Sequence, residues 1–289
     1  MKNKIVTHTL PAIKVDMGGF PVKQPLPTHN VEQVDPFLLL HHARVKPIYD
    51  RPAKIQGVGP HPHRGFSPVT FIIEGEVHHR DSQGNSQIAK AGEVQWVNAG
   101  AGIIHSERPS QDLVDSKGIQ EIIQLWINNP ASHKMTPPSY FHFPETELPR
   151  IPSGDGLSDI KLIAGDYLGV KGQINTYSNL LVLWSKSKEG AFVNIEIPEG
   201  FNTMLYIIKG DIRVEGYGVI EPENLLVFSD EGDEIRIFST SSSQFLILAG
   251  EPIDEPLMQY GPFVMNNQTE IMEAMRDYQM GKMGVLIEE

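Results

Sequence analysis

Short apolar runs, several of them alternating with polar residues at a period of two, recur along the chain, and glycine or proline closes most of them. Val69-Thr70-Phe71-Ile72-Ile73, Val94-Gln95-Trp96-Val97 and Ile122-Ile123-Gln124-Leu125-Trp126-Ile127 read as strands, because β-branched and aromatic side chains suit a half-buried pleated surface. Between two such runs, Asp81-Ser82-Gln83-Gly84-Asn85 is a hairpin turn. Near the end the period changes. Asn267-Gln268-Thr269-Glu270 can cap a helix over Ile271 to Gln279, with Ile271, Met275 and Tyr278 on one face and Gly281 ending it. Such an amphipathic helix is expected to pack on a sheet.

The strand pattern occurs twice. Gly65-Phe66-Ser67-Pro68-Val69-Thr70-Phe71-Ile72-Ile73-Glu74-Gly75-Glu76-Val77 lies in register with Gly200-Phe201-Asn202-Thr203-Met204-Leu205-Tyr206-Ile207-Ile208-Lys209-Gly210-Asp211-Ile212. The Gly-Phe pair, the Ile-Ile pair and the acid after the second glycine coincide, so two similar β-domains in tandem are expected. The first closes at Asn128-Asn129-Pro130, and a proline-rich passage through Thr136-Pro137-Pro138 and Leu148-Pro149 follows. The expected limits are a first domain over 1–130, an irregular packed connector over 131–155, and a second domain over 156–289 that ends in the helix.

Chemistry enters with His61-Pro62-His63 and, about forty residues on, His105-Ser106-Glu107. On a strand, side chains at i and i+2 share a face. Two neighbouring strands with one such pair each would aim three imidazoles and one carboxylate at one point, a set suited to iron, nickel, copper, manganese or zinc. A histidine pair alone recurs by chance. Here both pairs lie among strands, with Gly92, Gly100 and Gly102 marking tight turns at the mouth of a small barrel. Extending the repeat backwards sets His61 against Glu196 and His63 against Pro198, and no histidine occurs from Ala191 to Glu251. The first domain is therefore expected to hold the metal and the second to hold none.

Composition narrows the rest. The chain has 289 residues, no cysteine and a formal net charge of −12, which removes disulfides, thiolate ligands and cysteine nucleophiles. The negative balance argues against direct nucleic-acid binding. No apolar window is long enough for a membrane span, and Met1-Lys2-Asn3-Lys4 opens no apolar signal core; a cytoplasmic location is expected. No phosphate loop, dinucleotide fingerprint or serine elbow is present.

The runs Gly59-Pro60-His61-Pro62-His63-Arg64-Gly65-Phe66, His79-Arg80-Asp81-Ser82, and Gln95-Trp96 through Gly102-Ile103-Ile104-His105-Ser106-Glu107 resemble the pirin family. So do Gln124-Leu125-Trp126-Ile127-Asn128, Lys134-Met135-Thr136-Pro137-Pro138, Gly250-Glu251-Pro252, and Gln259-Tyr260-Gly261-Pro262-Phe263-Val264-Met265-Asn266. The resemblance implies an all-β bicupin, two tandem jelly-roll barrels with a short C-terminal helix and metal in the N-terminal barrel alone. It implies His61, His63, His105 and Glu107 as the ligands. Ser67 stands near the place where many family members carry a glutamate, which puts any ligand-orienting role of that residue in doubt.

By the same resemblance the metal is Fe(II), with nickel, cobalt, manganese, copper and zinc compatible with the donors. The implied activity is that of a quercetin 2,3-dioxygenase, which opens a flavonol ring with dioxygen and releases carbon monoxide. Glu107 would act as general base on the flavonol hydroxyl. The alternative the family offers is a non-enzymatic regulator whose metal oxidation state alters a surface that docks a protein partner. Candidate pocket residues are His79, Trp96 and Asn98. Core packing is the competing role for Trp96 and Trp126. His41-His42 are expected to be a solvated strand end.

Overall fold

A computed structural model describes residues 2–288. The structure is built of strands, with a C-terminal helix over Gln268–Gln279. Two seven-stranded and two four-stranded sheets carry most of it, and they form two barrels of one topology. In the first barrel a four-stranded sheet runs Val58–His63, Ile103–Arg108, Glu76–Asp81, Ser86–Lys90; in the second the order is Phe192–Glu196, Glu234–Ser239, Ile212–Val214, Gly218–Ile220. The larger sheets match as well. Val94–Asn98, Phe66–Glu74, Gln120–Asn128 and Phe37–Val45 lie in the order that Asn224–Phe228, Asn202–Lys209, Ser243–Gly250 and Leu180–Ser187 repeat. Both are jelly rolls, as the sequence repeat and the family resemblance led us to expect.

The compact units are not contiguous in sequence. One comprises the segment ending at Ile13, Gln24–Leu38 and Glu147–Ile253; the other comprises Lys14–Lys23, Leu39–Thr146 and the chain from Asp254 onward. Edge strands explain part of this division. Ser139–Phe143 covers the edge of Val94–Asn98 in the first barrel, and Val6–Pro11, from the start of the chain, takes the same place beside Asn224–Phe228 in the second. Each sheet thus gains a partner where an unpaired backbone would lie open. Residues 131–155, expected to be irregular, contain the strands Ser139–Phe143 and Arg150–Ile151. Pro137, Pro138 and Pro144 flank the first of these strands without interrupting it.

The helix begins as its sequence predicts, with the Asn267 side chain accepting from the Glu270 backbone N–H. Ile271 and Ala274 join Phe263, Met265 and Met283 in one apolar cluster with Ile104 at its margin, so the helix packs in the unit that holds His61, His63 and His105. Arg64 fixes it further, with both terminal nitrogens 3.1 Å from Asp277 Oδ2. Gly65, next in the chain, has φ +87, and a Cβ there would lie 2.0 Å from the Val264 carbonyl oxygen. Only glycine lets the two backbones approach so closely.

The second barrel is filled with apolar side chains. Val193, Ile195, Ile197, Leu205, Ile207, Ile235 and Ile237 belong to one buried cluster, and Ile195 pairs with Ile235 as His61 pairs with His105. Glu196 faces outward beside this core and is exposed, so it is Ile195 that stands where the first barrel has a histidine.

The expectation for His41 and His42 is overturned. They are 7% and 4% exposed, because Phe37–Val45 lies inside its sheet. His42 Nε2 lies 3.0 Å from Glu121 Oε1. Burial lowers the His41 pKa to about 4. An unfolded chain titrates the same residue near 6.5, so this histidine contributes its full share of stability above pH 6.5 and loses it as pH falls towards 4. The loss amounts to about 3 kcal/mol on a shift of this size. His41→Leu is expected to flatten the urea-unfolding free energy between pH 6.5 and 4; an unchanged slope would contradict the assignment.

Candidate metal centre

The strands Val58–His63 and Ile103–Arg108 pair antiparallel, which sets His61 opposite His105 and His63 opposite Ile103. Pro62 sits between the two histidines on the face that turns away from theirs. The ring centroids of His61, His63 and His105 lie 4.4 to 4.8 Å apart, and a nitrogen from each ring falls within 4.8 Å of the others. Among the described residues this is the one group of histidine, cysteine or acidic side chains so gathered. His61 and His63 approach through their Nε2 atoms, 3.1 Å apart.

Surrounding groups decide which nitrogens are free to bind. His61 Nδ1 lies 2.8 Å from the Gly59 carbonyl oxygen. A carbonyl only accepts, so the proton resides on Nδ1 and the Nε2 lone pair points into the group. His105 Nδ1 faces His79 Nδ1 at 3.5 Å. His79 Nε2 in turn donates to Asp81 Oδ2 at 2.9 Å. Burial pushes the Asp81 carboxyl upwards, but hydrogen bonds from His79 and Asn85 outweigh it and hold its pKa below the ordinary value. The order carboxylate, imidazole, imidazole leaves His105 Nε2 as the acceptor at the end of the row. That atom is buried and has no hydrogen-bond partner among the described residues. A buried polar atom in this state is costly unless something else meets it.

Charge points the same way. His63 and His105 are each 1% exposed. Burial, and then the neighbouring imidazoles, push both pKa values well below the ordinary histidine range. Neutral imidazoles with inward lone pairs are ligands ready for a cation. The donor set fits a divalent transition metal.

Glu107 is not in the group of three. It lies on the strand of His105, opposite His79, with a shift of register between His105 and Glu107. Thr70 Oγ1 donates to its Oε1 at 2.9 Å and Gln124 Nε2 to its Oε2 at 2.6 Å. Trp126 Nε1 completes the line by donating to Gln124 Oε1 at 3.1 Å. The Trp126 ring also meets the His63 ring at 5.3 Å, with Phe66 on the same imidazole at 5.0 Å.

Of the candidate pocket residues, His79 stands against His105 and stacks on Tyr140, with ring centroids 4.1 Å apart. Trp96 and Asn98 are 2% and 6% exposed. Trp96 Nε1 donates to Asn98 Oδ1 at 3.1 Å, and Ser67 Oγ donates to the same oxygen at 2.8 Å. Ser67 therefore binds the barrel wall through Asn98. Sequence reading did not single out Thr70, Gln124, Tyr140 or Asp81 as partners of the site. The Asp81 signal was visible in the hairpin, where an aspartate that accepts from Gln83 N and Asn85 N forms the turn.

Comparison with known proteins agrees with the fold. Residues 19–127 match the Pirin family model, and residues 183–284 match that of the Pirin C-terminal cupin domain. Human Pirin is 35% identical over 287 residues, covering 97% of this chain and 94% of that protein. The crystal structure of a quercetin 2,3-dioxygenase from Acinetobacter baumannii superposes with a TM-score of 0.90 at 36% identity, covering 99% of this chain and all of that one. A bacterial pirin from Escherichia coli, solved in complex with nickel(II), shares the fold at a TM-score of 0.66 and 19% identity, covering 85% of this chain and 98% of that one.

His63→Ala is expected to remove most of the metal measured by plasma mass spectrometry after purification, with the far-ultraviolet dichroism unchanged. Asp81→Asn leaves all three imidazoles in place and is expected to weaken metal affinity by about 10–100-fold, the usual worth of a residue that orients a ligand. Equal affinity in Asp81→Asn and wild type would remove His79 and Asp81 from the site.

Proposed function

The chain belongs to the pirin family, and on that premise we propose that it is a metal-dependent dioxygenase of quercetin-like flavonols. His61, His63, His105 and Glu107 would hold the metal. The observation that carries this reading is the unpartnered, buried His105 Nε2 at the meeting point of three imidazoles. A divalent metal bound there, Fe(II) in our reading, supplies a Lewis acid for a substrate oxygen and a redox partner for dioxygen. Manganese, cobalt, nickel, copper and zinc are the competing occupants that metal analysis would separate.

The protein's own groups supply orientation and proton transfer. Glu107 is 8% exposed, and among the described residues each of its oxygens receives a single hydrogen bond. One lone pair per oxygen thus stays available, and the carboxylate can take the proton of a flavonol 3-hydroxyl. Thr70 and Gln124 hold the carboxylate in place for that transfer. Phe66 and Trp126 pack edge-on against His63, which fixes its ring plane and keeps water from it. Ring opening incorporates both oxygen atoms of dioxygen and expels one carbon as carbon monoxide, so the two gases should change in equal amounts.

Metal-replete protein is expected to bleach quercetin only with oxygen present and to release carbon monoxide in step. Glu107→Gln keeps an amide oxygen in place of the carboxylate and is expected to lower turnover by a factor of about 10²–10⁴, with metal content measured alongside. If metal-loaded wild type takes up no oxygen with several flavonols, the dioxygenase reading fails. The non-enzymatic reading would then lead, and binding of a protein partner would be compared between Fe(II)- and Fe(III)-loaded forms.

A further inference from the structure

We infer that Arg108, clasped by Glu288, is a positioning residue for the metal: it pins the bulged segment 56–59, from which His61 and Glu107 take their orientation. The inference deepens the reading in which His61 and Glu107 are ligands, and rests on it. Residues 105–108 pair with residues 78–81 in unbroken register, His105 opposite Asp81, Ser106 opposite Arg80, Glu107 opposite His79 and Arg108 opposite His78. Successive side chains of a strand alternate in face. Arg108 therefore stands on the outer face, behind the side that carries His105 and Glu107.

On its other edge the same strand meets Val58–His63 with one residue to spare. His105 lies opposite His61, yet Glu107 lies opposite Val58, so Gly59 and Pro60 together oppose Ser106 in a β-bulge. A bulge re-aims the side chains beside it. Arg108 holds this one at two points. Its Nη1 donates to the Gln56 carbonyl oxygen at 2.7 Å. Its Nη2 lies over Gly59, where a Cβ would stand only 3.1 Å away. The Gly59 carbonyl is the group that orients His61 through Nδ1. Between these points Gly57 approaches Glu107 so closely that a Cβ would fall 2.6 Å from the Glu107 carbonyl oxygen.

Glu288 fixes the guanidinium in turn. Arg108 Nε donates to Glu288 Oε1 at 3.2 Å and Nη2 to Oε2 at 2.5 Å, the two-pronged geometry that sets arginine apart from lysine. The two side chains are 13% and 9% exposed, so salt screens the pair little. The chain reaches this point as a strap on the outer face. Met283 is buried against Gly102, and its carbonyl oxygen accepts from Ser82 Oγ at 2.8 Å. Beyond it Val285 and Ile287 are exposed, while Gly284, Leu286 and Glu288 are half-buried, as in a chain that turns every second residue to the sheet. All of these residues belong to one compact unit.

Titration of the metal-free full chain with Co(II) tests this, because the visible absorption of the bound ion follows the number and geometry of its ligands. Glu288→Gln and Arg108→Met are each expected to weaken Co(II) affinity by about tenfold, the lower end of what a residue that orients a ligand contributes, and to change the absorption band. The double variant should bind no more weakly than Arg108→Met alone, because Glu288 acts through Arg108. If Arg108→Met does not fold, Glu288→Gln decides by the same two readouts. Weaker affinity with an unaltered band would mark the clasp as support of the fold alone and overturn the proposal. So would wild-type affinity in both single variants while His61→Ala loses Co(II), an outcome that leaves the metal site standing. Wild-type affinity in His61→Ala would remove the ligand reading itself, and this inference with it.

Discussion

The pairing of His61 with His105 across two antiparallel strands is the constraint on which the rest of the first barrel depends. Where three imidazoles have ring centroids within 4.8 Å of one another, a charge on one opposes a charge on the next, and burial together with that repulsion holds the pKa values of His63 and His105 well below the ordinary histidine range. Neutral rings must still turn the correct nitrogen inward. The Gly59 carbonyl does this for His61, and the row from Asp81 through His79 does it for His105.

The C-terminal segment helps to hold that pairing in place. Immediately after His63, Arg64 bridges to Phe263 and Asp277, and Gly65 lies against the Val264 carbonyl. Lys134, buried, donates to the carbonyls of Gly65 and Val264 and to Asn128 Oδ1. Strand end, helix and loop are tied at one point next to the imidazoles. Such a knot limits the freedom of His63 far more than the strand ladder alone could, which is what a preorganised ligand set requires.

The two barrels show how one topology divides labour. Where the first places His61 opposite His105, the second places Ile195 opposite Ile235 and closes over a continuous apolar core. A jelly roll supplies a rigid frame, and its chemistry depends on which alternate positions turn inward.

Much of this was legible in the sequence, for reasons of period and spacing. The repeat fixed two barrels of one topology, and the i, i+2 histidine pairs put their rings on one strand face each. Asn267 announced its helix, because a cap acts within four residues. Longer-range facts were not legible. That Ser139–Phe143 and Val6–Pro11 cover equivalent edges depends on pairing between segments whose separation in sequence carries no local signal. His41 and His42 read as a polar strand end, yet both faces of their strand are covered once the sheet assembles. The repeat set Glu196 against His61, while the side chain that faces the barrel is Ile195, since a shift of one residue reverses the face of a strand. Sequence determined the residue types and their local periods; only the tertiary structure decided which face of each strand met the interior and which donors met Glu107, because those choices are set by packing between segments far apart along the chain.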